Sequence, residues 1–251
     1  MFSAAGRVAL VTGAGRGVGT GVVRALAGRG ATVVVNDIDA DAAAAVAASV
    51  RDGGGRAHHA PFDVTDGDAV DGAVERISTD VGPVDVLVNN AGIPVGMAAQ
   101  PFHEMDPAAW RPYVDLNLYG SLHCVRAVLG GMRARRWGRI VQISSAAGRT
   151  GLPIGVALYG ASKSGIEGFV RHLSQEVARD GVTVNTLALG MMATVTRGGD
   201  DDLVQRLARH VPVGRLGTPE DAGAAVVYLA SDEAAWLTCQ TVTLDGGATT
   251  H

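Results

Sequence analysis

The chain has 251 residues, 47% of them apolar and 18% charged, with a formal net charge of -4. That size and apolar content suit one large α/β domain, and the acidic balance argues against nucleic-acid or anionic-membrane partners. No apolar run approaches the ~20 residues of a membrane span, and two distant cysteines, Cys124 and Cys239, exclude a disulfide framework or paired-thiol zinc site.

Short apolar runs alternate with longer amphipathic stretches. Val8 to Val11 reads as a strand and Gly17 to Ala27 as a helix, joined by the glycine-rich turn Thr12 to Gly19. Thr32 to Asn36 is a continuous β-branched strand, and Ala40 to Val50 an alanine-rich helix. Ala57 to Phe62 is a weaker strand, and Asp66 caps a helix running to Asp80. Val84 to Val88 is a strand, and Pro107 opens one long helix that ends near Arg136. Arg139 to Ile143, Leu158 to Ala178 and Val182 to Leu187 read as strand, helix and strand. Thr218-Pro-Glu-Asp caps a helix through Leu229, and Gln240 to Leu244 is the last strand. This alternation predicts one doubly wound domain over 1–251, a parallel sheet of about seven strands with helices on both faces. The irregular stretch Gly190 to Gly217 follows a strand end, where ligands bind such sheets, so it is a candidate substrate lid. Met1 to Arg7 lacks the pattern of a secretory leader, so a cytoplasmic protein is expected.

Two constellations carry chemistry. Gly13, Gly17 and Gly19 sit between a strand and a helix, which is how a pyrophosphate is seated, with Arg16 and Val18 in the same turn. Asp37 ends the next strand, where a carboxylate accepts ribose hydroxyls and repels a 2′-phosphate; a plain helix cap is the bland alternative. Tyr159 and Lys163 are one helical turn apart. A neighbouring ammonium lowers a phenol's pKa and suits it to proton transfer. His58, His59 and His103 lack metal-ligand spacing, and no metal site is expected. Arg133, Arg135 and Arg136 end a helix, where they complement its dipole or meet a phosphate-bearing carrier. Met191 and Met192 are either core filler or an adaptable apolar wall.

With these motifs in order, the chain resembles the short-chain dehydrogenase/reductase family end to end. The resemblance rests on Thr12 to Gly19, Asp63-Val64, Asn89-Asn-Ala-Gly92, Asn117, Ser144-Ser145, Tyr159 to Lys163, Asn185 and Asp245-Gly-Gly247. It implies a Rossmann-type fold and interconversion of a secondary alcohol and a ketone with NAD, NADP being less favoured because of Asp37. It makes Tyr159 the acid or base, Lys163 its partner and the holder of the nicotinamide ribose, and Ser145 the donor to the substrate oxygen. Asn117 supports a water leading from Lys163 to solvent. Asp63 and Val64 flank the adenine, Asn90 lies near the adenosine ribose, and Met192 and Thr194 lie at the nicotinamide end. A homotetramer is the implied assembly.

The chain departs from the family at four places. Ser145 precedes Tyr159 by one residue more than usual, the extra residue falling in the 149–156 loop; Leu189 replaces a proline, loosening the turn; Cys239 replaces a glycine; and Arg16 resembles NADP-preferring members. Asp180 stands where carrier-dependent relatives have a basic residue. The expected substrate is therefore a small or medium apolar ketone or alcohol, walled by Met191, Met192, Val195 and Leu203 with Arg197 nearby. The alternatives are an NADPH-dependent 3-oxoacyl-thioester reductase, an epimerase or dehydratase on the same fold, and a non-catalytic dinucleotide sensor or scaffold.

Overall fold

Successive residues on a strand face opposite sides of a sheet, and here both sides are apolar. Along β1 (Val8–Val11), Ala9 and Val11 enter one core cluster, while Val8 and Leu10 enter another. The same division runs through β2 (Thr32–Val35), β4 (Val86–Asn89) and β6 (Val182–Leu189). Each buried Val or Leu side chain contributes about 1.5–3 kcal/mol. With β3 (Arg56–His59), β5 (Gly138–Ser145) and β7 (Thr241–Leu244), these strands form a parallel sheet in the order β3-β2-β1-β4-β5-β6-β7. The computed structural model describes residues 1–94, 96–195 and 201–249.

The first face is covered by α1 (Val18–Gly28), α2 (Ala40–Asp52) and α8 (Pro219–Leu229). The second is covered by α3 (Gly67–Asp80), α5 (Gly120–Arg135) and α6 (Ala157–Val177). α1 and α8 cross at glycines: a Cβ on Gly223 would lie 2.6 Å from the Gly21 carbonyl oxygen. Asp66 caps α3, and Thr218 with Asp221 forms a capping box on α8. Among the described residues no helix is long and apolar enough to cross a membrane.

Three segments differ from the sequence pattern. β3 stops at His59 because the Asn36 side chain takes the Ala60 and Phe62 carbonyls that a longer strand would offer to the sheet. The central strands run longer than expected: eight registered pairs join β5 and β6, carrying the sheet as far as Ser145 and Leu189. The long helix expected from Pro107 is broken into a 3-10 turn (Pro107–Ala109), α4 (Arg111–Val114), a π turn (Asp115–Tyr119) and α5. The Asn117 amide donates to the Tyr113 carbonyl at 3.0 Å. The side chain thereby serves an acceptor that helical backbone would otherwise use, and the helix widens there.

The stretch between β6 and α8 holds a 3-10 turn (Ala193–Val195) and α7 (Asp201–Ala208). Its two ends are tied together. Ala193 N donates to the Gly217 carbonyl at 2.8 Å, and Gly217 N to the Met191 carbonyl at 3.0 Å. Arg197, Gly198, Gly199, Asp200 and the Val195 side chain lie outside the described residues.

Candidate active site

The strand order reverses at β1, whose neighbours are β2 and β4, and ligands of such sheets bind at the carboxyl ends beside that point. Thr12, Asp37, Asn90, Ser145 and Gly190 all stand at those ends. Gly13 and Gly17 have φ of +58° and +61°, a region costly for residues with a Cβ. A Cβ on Gly13 would lie 2.7 Å from Ala91 Cα, whereas one on Gly17 would meet nothing within 4 Å. The turn therefore packs tightly behind and is open in front. α1 starts at that opening without a side-chain cap, so its first backbone N–H groups suit a phosphate. Val18 packs against the core, and Arg16 is exposed.

Neighbouring strand ends brace the turn. Asn90 Nδ2 donates to the Thr12 and Gly13 carbonyls, each at 2.8 Å, and Thr12 Oγ1 accepts from Asn90 N and Ala91 N. Asn90 is thus a prop for the turn. Asp37 is buried at the tip of β2 and is not the helix cap; Asp39 fills that role. The Asp37 carboxylate accepts from Gly15 N at 2.9 Å and Asp39 N at 3.1 Å, which fixes it against the glycine turn. Asp63 folds onto Thr65, accepting from its N and Oγ1. Val64 is 6% exposed and packs in the core, and its carbonyl meets His123 Nδ1 at 3.1 Å, so its backbone N–H is the group placed to edge a ligand.

On the other side, Ser145 ends β5, and its Oγ accepts from Ala147 N at 3.2 Å. Burial pushes the Tyr159 phenol up, and the Ser145 hydroxyl partly offsets this. That corrects the expectation that Lys163 lowers it: Lys163 Nζ lies 5.7 Å from the ring centroid and donates instead to the Ile143 carbonyl at 3.0 Å. Lys163 is itself buried, which pushes its ammonium down to about 8 against the pull of Glu167.

Gly92 completes this corner. A Cβ there would lie 2.5 Å from Lys163 Nζ and 2.9 Å from Asn117 Oδ1. Asn117 is fully buried, and its Oδ1 has no hydrogen-bond partner among the described residues. The π turn thus aims an acceptor at the Lys163 corner, where a water or ligand donor would satisfy it.

Met192 turns inward: it is 5% exposed and belongs to the core, whereas Met191 is 40% exposed. Of the two readings for this pair, Met192 is filler. Thr194 lies half-buried in the 3-10 turn beyond it. Leu189-Gly190 is not loose, because a Cβ on Gly190 would lie 2.5 Å from Asp245 Cβ. Asn185 ties β6 to the start of β7 through Leu237 and Gln240.

The family profile described as short chain dehydrogenase matches residues 7–202. The chain belongs to the short-chain dehydrogenase family. The 3-oxoacyl-acyl-carrier-protein reductase FabG of Vibrio harveyi is 38% identical over 243 residues, 96% of this chain and 97% of its own. The cis-4-hydroxycyclohexanecarboxylate dehydrogenase of Sinomonas cyclohexanicum is 39% identical over 244 residues, 97% and 96% of the two chains. A gluconate 5-dehydrogenase from Burkholderia cenocepacia J2315, crystallised with NADP and tartrate, matches with a TM-score of 0.90. It is 34% identical, and the match covers 98% of this chain and 96% of that one. As a short-chain dehydrogenase the protein is an oxidoreductase acting on alcohol and carbonyl groups. Its family binds nicotinamide dinucleotides, and the front-open glycine turn, the uncapped start of α1 and the unsatisfied Asn117 oxygen fit such a group.

Proposed function

We propose that this short-chain dehydrogenase uses NAD(H) to interconvert a secondary alcohol and a ketone of small or medium size. The observation that carries the reaction is the convergence of Ser145, at the end of β5, with Tyr159 and Lys163, one turn apart on α6, beside the unsatisfied Asn117 Oδ1. In reduction Tyr159 gives its proton to the carbonyl oxygen, and in oxidation it takes one from the alcohol. Ser145 donates to the same oxygen and stabilises charge developing there. Lys163 would hold ribose hydroxyls, while Asn117 would support the exit of the proton. The bound dinucleotide supplies or accepts the hydride. Gly13, Gly17, Val18 and Gly19 would hold its phosphates, with Asp63, Val64, Met192 and Thr194 at its edges.

The choice of NAD rests on Asp37, a carboxylate fixed by two backbone N–H groups. A 2′-phosphate placed there would meet a charge unable to turn away. The exposed Arg16 and the NADP held by the gluconate 5-dehydrogenase stand on the other side.

Against a carrier-bound substrate stands the basic cluster's engagement within the chain. Arg133 Nε donates to Asp180 Oδ2 at 2.6 Å, Arg135 to the Val84 carbonyl at 2.7 Å, and Arg136 to the Arg179 carbonyl at 2.9 Å. The reading includes a cytoplasmic homotetramer, in line with the exposed Leu152, Ile154 and Trp236. A monomeric mass by light scattering would contradict that part.

The test is the rate of NADH and NADPH oxidation with cyclic and acyclic free ketones and with a carrier-bound 3-oxoacyl substrate. Higher kcat/KM with NADH and a free ketone is expected. A preference for NADPH and the carrier-bound substrate would replace this reading with that of a 3-oxoacyl-thioester reductase.

A further inference from the structure

Tyr159, Lys163 and Glu167 recur every four residues, which places them in one stripe along α6. Each meets one of three consecutive residues at the end of β5. The Ser145 hydroxyl acts on the Tyr159 phenol, Lys163 donates to the Ile143 carbonyl, and Ser144 Oγ donates to Glu167 Oε1 at 2.6 Å. The first two contacts belong to the proton-transfer site. The third has no part in the chemistry described above. Glu167 is 3% exposed beside Ile166 and Val170, and burying a carboxylate costs several kcal/mol unless it is paired. Its second oxygen lies 3.6 Å from Arg149 Nη1, just beyond the turn that follows Ser145.

We propose that Glu167 is a positioning residue, the counter-ion of the Lys163 ammonium and the anchor that fastens the Ser144–Ser145 strand end to α6. The proposal rests on the dehydrogenase reading for its consequence, the holding of a cofactor ribose by a charged lysine. From α6, Tyr159 and Glu167 face Lys163. β5 offers the Ile143 carbonyl, the π turn the Asn117 amide, and the end of β4 only Gly92. Among the described residues, Glu167 is therefore the one anion set against the lysine, and Arg149 is the cation on its far side. The direction agrees: burial lowers the Lys163 ammonium, and Glu167 opposes that.

Lys163 is the only lysine in the chain. Protein labelled with carbon-13 at the lysine Cε therefore gives one lysine resonance, whose pH titration reads this site without cofactor. Glu167→Gln keeps an acceptor for Ser144 and removes the charge, so the midpoint should fall by about one pH unit or more. Arg149→Met, at a partly exposed position, leaves Glu167 to Lys163 alone and should move the midpoint up. A midpoint unchanged in both variants would overturn the proposal. If Glu167→Gln does not fold, the sign of the Arg149→Met shift decides, and no shift or a downward one overturns it. NADH fluorescence titrations on the same samples give the second readout. The pH at which NADH affinity declines should come down together with the midpoint in Glu167→Gln, and a decline that stays in place overturns the link to cofactor binding. A parent protein that binds no NADH or NADPH refutes the dehydrogenase reading, and the resonance shifts still decide the charge pairing.

Discussion

Around the glycine turn, buried polar groups have partners. Asn36 serves Gly13, Ala60 and Phe62, Asp37 accepts from two backbone N–H groups, and Asn90 grips two carbonyls. From the end of β4 onward the balance changes. Asn89, at the end of β4, and Asn117, in the π turn, each carry a buried oxygen without a partner among the described residues. Tyr159 is pushed up there and Lys163 down. The nucleotide half is a finished rigid seat made largely of backbone. The proton-transfer half is held away from its own optimum, the usual mark of groups tuned for chemistry.

The sharpest way to break this comparison is to remove the phenol. Tyr159→Phe should lower kcat by about 10²–10⁴-fold while leaving the NADH dissociation constant nearly unchanged. Turnover within a few-fold of the parent would show that the tuned half is not where the proton moves.

The next effect is on stability. The lowered Lys163 corresponds to a penalty of about 3 kcal/mol on the folded state. Its folded pKa lies below its unfolded one, so between about 8 and 10.5 the unfolded chain binds more protons, and stability rises with pH across that window. Below it the full penalty is present. Lys163→Met should therefore lose that pH dependence in urea unfolding and bind NADH weakly. A variant whose stability still rises with pH between about 8 and 10.5 would show that another group sets that window.

On the seat side, Asp37→Ala should narrow the NADH-over-NADPH ratio of kcat/KM by about tenfold, or 1.4 kcal/mol. An unchanged ratio would place discrimination elsewhere in the turn. The smallest effect is expected at Cys239, which has φ +64°, a region that favours glycine. Cys239→Gly should raise stability by about 0.5–1 kcal/mol, measured as a higher Tm. No gain would mean that its contact with the Arg171 carbonyl offsets the strain.

Much of the seat was legible in the sequence because glycine spacing and strand-end carboxylates are local signals. The sheet was legible for the same reason, since β-branched runs mark strands buried on both faces. What depends on tertiary packing was not. The π turn at Asn117 follows from a side chain taking the Tyr113 carbonyl, and spacing cannot distinguish that from an ordinary helix. The inward turns of Val64 and Met192 depend on what they meet across the core. The sign of the Tyr159 shift was missed because burial outweighs a lysine that turns to Ile143 instead. Glu167 did leave a signal: a charged residue on the buried face of α6, four positions after the lysine.

The tie between Met191–Ala193 and Gly217 makes the stretch between them an interchangeable cassette. Its two attachment points lie side by side, so a replacement of different length need not disturb β6 or α8 provided that Arg215, which pairs with Asp221 of the α8 capping box, is kept. Substrate range can then diverge in this family member while Ser145, Tyr159 and Lys163 stay as they are. Grafting a relative's segment between Thr194 and Val211, both of which stay, should change which ketones are reduced and leave NADH affinity intact. A graft that also weakened NADH binding would show that the cassette and the seat are one unit.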